Sequence, residues 1–256
     1  MRALRQVCGC LPIPCPHPAG MIRERFSCRQ TFATILADTP EHIEAAKSGM
    51  LAARQVLEAY IARDPFFSTT FDPQIPDSDD LIITRMAGAT RTAGVGPMAA
   101  VAGAIAWAGL EAMQEAGALF GVIDNGGDIA LICDRNVRVG VHAGEAALSN
   151  RIAFVVPPQD SVLGICTSSA TVGPSISFGV ADAVTIFSRD VALADAWATA
   201  VCNEIRPENI SVLDRINPND VRGIFAIMGD RHIRWGNLPQ LVSADVDERL
   251  ISAGDR

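Results

Sequence analysis

The chain has 256 residues, 49% hydrophobic and 20% charged, with a formal net charge of −8 at neutral pH. That is enough for a substantial core, and an isoelectric point near 5.0 argues against nucleic acid as the main partner, because phosphate binding needs a basic face. The longest apolar run, residues 98–110, is too short to cross a bilayer and stops at Glu111, so no membrane partner is expected.

The first twenty residues, MRALRQVCGCLPIPCPHPAG, differ from everything after them. Cys8, Cys10, Cys15 and His17 fit no standard zinc spacing, and four prolines discourage regular structure. Residues 1–20 read as a disordered leader or as a start assigned too early, with translation beginning at Met21. Residues 21–256 read as one domain. Seven cysteines, an odd and scattered set, read as free thiols in a reducing cytoplasm.

Residues 23–37 are rich in β-formers and predict one or two strands. Thr39-Pro40 opens a helix over 41–63, with Ile43, Ala46, Met50, Ala53, Val56 and Tyr60 on one face. After a proline-rich connection, a second helix is expected over 81–92. Gly94-Val95-Gly96-Pro97 breaks the chain and starts a third over 98–115, built from small residues that suit burial against a sheet. GVIDNGGDIALIC (121–133) reads as a strand pair around a turn; NVRVGVHA, RIAFVVPP, residues 163–167 and ADAVTIFS read as further strands. Asp190 can cap a helix over 191–204, and VRGIFAIMGDRHIRWG reads as two strands around Gly229-Asp230. Strands joined by tight turns, with a few long helices, predict an α+β fold rather than a doubly wound sheet.

Four stretches could hold chemistry. Asn125-Gly126-Gly127 reads as a hairpin turn, since Asn-Gly supplies the positive φ of a type I′ turn. Its flanking acids, Asp124 and Asp128, and its lack of Cβ atoms also suit a ligand wall. Gly94-Val95-Gly96-Pro97 is either a plain helix start or one whose free amides face an anion; it lacks the third glycine of a dinucleotide fingerprint. Thr167-Ser168-Ser169-Ala170-Thr171 can donate to a ligand or satisfy its own turn. No nucleophile elbow surrounds it, and Cys166 reads as core. Asp195 and Thr199 share a helical face at i, i+4 and are oxygen donors of the kind magnesium accepts, or simply a local polar pair.

In this order, GVGPMAAVAGAIA, GVIDNGGDIAL, ICTSSATVG and ADAVTIFSRDVALADAWATAV resemble the ApbE-like superfamily, whose best-known members are FAD:protein FMN transferases. The segments span a little under half the chain, and the chain from Met21 is most similar to a shorter, uncharacterised branch. The resemblance implies antiparallel sheet layers packed with long helices, akin to the tunnelling fold. It implies FAD or FMN as ligand and Mg²⁺ held by Asp195 and Thr199, with a carbonyl near Met98 or Ala99. Gly96, Asn125, Gly126, Gly127, Asp128, Thr167, Ser168 and Ser169 would line the flavin cleft. The implied activity is FMN transfer or FAD pyrophosphate cleavage, in the cytoplasm, with a small-molecule partner and room for a homo-oligomer. The chain departs from the transferases in two places. GPMAAVAG has no lysine where they carry G-x-A-K-G-Y-A, and VGPSISFGVADA leaves no room for their H-I-x-D-P-x-T-G. Ala170 and Pro174 stand where the shorter branch usually has Gly and His. A non-catalytic binding or assembly module is therefore the alternative reading.

Overall fold

The structure, a computed structural model, describes residues 20–171 and 179–246. The leader expected over 1–20 falls almost wholly outside these residues, as does Pro174.

Strands β1 (Ile22–Cys28) and β2 (Thr31–Ala37) form a hairpin. Helix α1 (Pro40–Arg63) follows, with Thr39 accepting from the His42 N–H as its cap. It buries Ile43, Ala46, Met50, Ala53, Leu57 and Tyr60, so the stripe turns through Leu57 where Val56 is expected. A short turn of helix, α2 (Phe66–Thr69), leads to α3 (Leu81–Ala93), which ends at Gly94 in the left-handed region (φ 79°). The helix expected over 98–115 begins instead as a 3-10 turn, Pro97–Ala100, and becomes α4 (Val101–Glu115). The reversal at Gly94–Gly96 sets this segment at 104° to α3. Next come β3 (Gly121–Asn125), β4 (Asp128–Cys133), β5 (Val137–Gly140), β6 (Ile152–Val156), β7 (Gln159–Ser168) and β8 (Ala183–Ser188). Asp190 caps α5 (Val191–Glu204) by accepting from the Leu193 N–H. The chain continues through β9 (Gly223–Met228), β10 (Arg231–Gly236) and β11 (Gln240–Ser243).

Eight strands form one antiparallel sheet in the order β1-β2-β3-β4-β7-β8-β9-β10; β11-β6-β5 form a second, smaller one. The period-2 alternation of each central strand sends its side chains into two different cores. Ile123, Ala130, Ile132, Cys166, Val184 and Ile186 face the helices. Val122, Leu131, Ile165 and Phe187 face the small sheet, where Phe154 meets Phe187 and Phe225 edge-on. The result is an α+β arrangement of helices, large sheet and small sheet in layers. Among the described residues no single helix is long and apolar enough to cross a membrane.

Candidate functional site

The β3–β4 turn is a two-residue loop. Asn125 and Asp128 face each other as the last strand pair, and Gly126 and Gly127 are the two central residues, both at positive φ (69° and 104°). Type I′ geometry needs that at both positions, which two glycines adopt without strain. The sequence expectation centred on Asn125-Gly126 is thus displaced by one residue. Asn125 is freed for another role: it is buried, and its side-chain amide donates to the Ala102 carbonyl at 3.0 Å. Asp124 accepts from the Gly127 N–H at 2.9 Å and closes the turn locally.

Alternation along β4 puts Asp128 on the face of Ala130 and Ile132, beneath the helices. Directly across the ladder stands Cys166 of β7. Asp128 is half-buried and lies beside the Cys166 thiol and the Thr167 N–H, which favour its charged form; its Oδ1 is shut off from water and has no hydrogen-bond partner. Burial, then the charges of Asp195 and Asp124, push its pKa well above the usual carboxylate range.

Asp195 reaches the same place from α5 and is only 8% exposed. Its Oδ2 accepts from the Gly103 N–H at 2.8 Å, and the Ala102 N–H also stabilises it. These are first-turn amides of α4, whose own cap residue, Ala100, has no side-chain acceptor. Asp195 therefore caps another helix from outside, where the positive end of the helix dipole favours its charge. Gly103 has to be glycine, because a Cβ there would lie 2.8 Å from the Val191 carbonyl and 2.9 Å from the Asp195 Cβ. Burial outweighs the two amides and raises the Asp195 pKa to about 7. Burial and the two neighbouring carboxyls keep the Cys166 thiol protonated; it also donates to the Val191 carbonyl at 3.5 Å. Neither Asp128 nor Asp195 forms an ion pair with a basic side chain among the described residues.

The expected site residues divide into groups. Asn125 and Asp195 meet the first turn of α4, Asp128 lies close to Asp195, and Gly126 and Gly127 form the turn between Asn125 and Asp128. Thr199, one helical turn beyond Asp195, is half-buried on α5, and Met98 and Ala99 are half-buried in the 3-10 turn leading to α4. The Thr-Ser run is split by its strand: Thr167 faces the small sheet and shares a hydrogen bond with Thr185 at 2.9 Å, while Ser168 alternates to the helix side. Ser169 lies past the strand end and accepts from the Thr171 N–H. Gly96 is packed under another segment, its missing Cβ replaced by the Thr70 carbonyl and the Phe71 backbone, so close packing explains this glycine. Ala102 and Gly103 were not legible as site residues. Their only signal is a small-residue run, which reads equally well as helix packing. A separate groove of about 260 Å³ between α1, α3 and α4, lined by Gly49, Ala53, Leu81, Arg85 and Glu111, contains none of these groups.

The sequence and the fold have counterparts. A family model described as "AbpE bacteria" matches residues 18–250. The chain belongs to the ApbE family. Its curated relatives include a UPF0280 protein of Methanoregula boonei, 67% identical over 92% of this chain and 100% of that one. Another, from Methanoculleus marisnigri, is 62% identical over 91% and 96%. Among solved structures, the apo flavinyl transferase ApbE of Pseudomonas stutzeri aligns with a TM-score of 0.55 at 12% identity, covering 92% of this chain and 98% of that one. The ApbE protein of Thermotoga maritima aligns at 0.50 and 11% identity, covering 91% and 100%. At such identities these two structures establish the shared ApbE fold, in agreement with the α+β architecture expected from sequence.

Proposed function

We propose that this ApbE-family protein binds a flavin or related nucleotide, with Mg²⁺, in the cleft between the Gly126-Gly127 hairpin, the start of α4 and α5. The proposed reaction is transfer of FMN, or cleavage of the pyrophosphate in an FAD-like substrate. The observation behind this reading is the gathering of Asp128 and Asp195 from two distant stretches of chain, with Asp195 held against the first-turn amides of α4. Hard oxygen donors without a basic partner suit a hard divalent cation, and the orphaned Asp128 Oδ1 shows that the local groups leave this cluster incompletely satisfied. Asp195 and Thr199 would hold the ion. Bound there, Mg²⁺ would neutralise phosphate charge and polarise the bond to be broken.

The protein's own groups account for binding and orientation. The hairpin glycines let a planar ligand approach the backbone without meeting a Cβ. In this reading the half-buried Met98, Ala99 and Ser168 would border the approach to the carboxylates. Asn125 ties the hairpin to α4, so the two walls move together. The free thiols of Cys28, Cys133, Cys166 and Cys202 suit a reducing cytoplasm.

Calorimetry of the full chain with FAD and with FMN tests this reading: binding should be tighter in Mg²⁺ than in chelator. No flavin binding in either condition overturns it. The second reading, a binding or assembly module without turnover, is favoured by the absence of lysine from the α4 approach, since the chain's one lysine is Lys47 on α1. Asp195→Ala separates the two. It abolishes metal-dependent turnover under the first reading and changes only stability under the second.

A further inference from the structure

We propose that Asp128 is itself a ligand of the divalent cation, paired with Asp195, so that the hairpin contributes to the metal site as well as to the cleft wall. This rests on the metal-dependent reading above and extends it, because the resemblance places Asp128 with the flavin and gives the ion to Asp195 and Thr199.

The argument begins with the orphaned oxygen. Oδ1 of Asp128 is closed to solvent and receives no hydrogen bond, although the carboxyl lies beside the Cys166 thiol and the Thr167 N–H. Native proteins rarely leave a buried carboxylate oxygen unsatisfied. The group nearest in charge is another carboxyl, Asp195, which makes the position worse unless something positive lies between them. A shared proton would cancel one of the two charges; a divalent cation cancels both.

The mounting is consistent with a coordination site. Asp195 is fixed by the Gly103 N–H, and Asn125, cross-strand partner of Asp128, is fixed to Ala102, so both carboxyls are referenced to the same turn of α4. Outer contacts of this kind orient ligands in metal sites. The adjoining sulfur is committed elsewhere, because the fully buried Cys166 thiol donates to the Val191 carbonyl at 3.5 Å. The donors offered are therefore oxygens, which select Mg²⁺ or Mn²⁺ over thiophilic ions.

Electron paramagnetic resonance of free Mn²⁺, titrated with the full-length protein without flavin, tests this directly. Wild type should bind one ion, Asp195→Asn should lose it, and Asp128→Asn should weaken binding at least about tenfold, since even outer contacts cost that much. Wild-type affinity in a folded Asp128→Asn protein overturns the proposal and leaves the Asp195–Thr199 site standing. No Mn²⁺ binding by wild type overturns both, while metal-free flavin binding would still be scored separately by calorimetry. Should Asp128→Asn not fold, the wild type decides. With ¹³Cγ-labelled aspartate and added Mg²⁺, two buried carboxyl resonances should shift with one midpoint, and a single shifting resonance overturns the proposal.

Discussion

The two halves of the large sheet repeat one order. In the first, β1 and β2 lead through helices to β3 and β4; in the second, β7 and β8 lead through a helix to β9 and β10. The halves join at β4 and β7. They differ in what covers them. The first is covered by several helices, of which α1 buries one stripe and leaves an outer polar face. The second relies on α5, and eleven of the 14 residues of α5 are buried. A helix enclosed on all sides has no solvent face for a carboxylate, so Asp195 must find partners inside the protein. It finds them across the join, on α4. The candidate site lies where the enclosed helix of one half meets the first-turn amides of the other.

The largest test of this contrast is Trp197→Ala on α5. Trp197 is 3% exposed, and its removal should cost about 3–5 kcal/mol in urea unfolding, as for other buried aromatics. A loss below about 1 kcal/mol would mean that α5 is not enclosed as described.

A second test uses pH. Asp195 titrates near 7 in the fold and close to 4 when unfolded, and Asp128 is raised in the same direction. A folded state that holds its protons more tightly is favoured at low pH. The metal-free protein should therefore have the full contribution below about pH 4 and lose it as pH rises through 7, at most roughly 4 kcal/mol from Asp195. Melting temperatures in chelator should fall between pH 5 and 8, and Mg²⁺ should flatten that fall. A melting temperature that rises over this range without metal would refute the buried-acid description.

Asn125→Ala is the smallest of the three. It removes the bond between hairpin and α4 and should cost about 1–2 kcal/mol by denaturant titration. Under the proposed function it should also weaken flavin binding, because the hairpin is no longer tied to α4. An unchanged melt would mean that the hairpin stands without α4.

Much of the fold was readable in the sequence for local reasons. The i, i+3, i+4 stripe of α1, the Asp190 cap of α5 and the β-formers of β8 each declare themselves within a few residues. The four-residue β11 does not, since a short edge strand with neither alternation nor a turn signal resembles a loop. The 3-10 turn before α4 follows a reversal in which Gly96 packs under Thr70 and Phe71, a contact made by distant residues. The same limit applies to the site. Asp128, Asp195 and the Gly-Gly turn could be picked out, but not that Asp195 would cap α4, nor that alternation would turn Thr167 away from Asp128 and bring Cys166 against it. Those relations exist only once β4 and β7 have paired.

The placement of Cys166 gives the protein an internal clock. Its sulfur lies at the join, directly opposite Asp128 and fully enclosed. A thiol reagent can reach it only when β4 and β7 part or α5 lifts away. Its labelling rate, followed by peptide mass, thus counts how often the two halves separate. An ion that bridges Asp128 and Asp195 would span that opening, and would slow the clock without touching the sulfur.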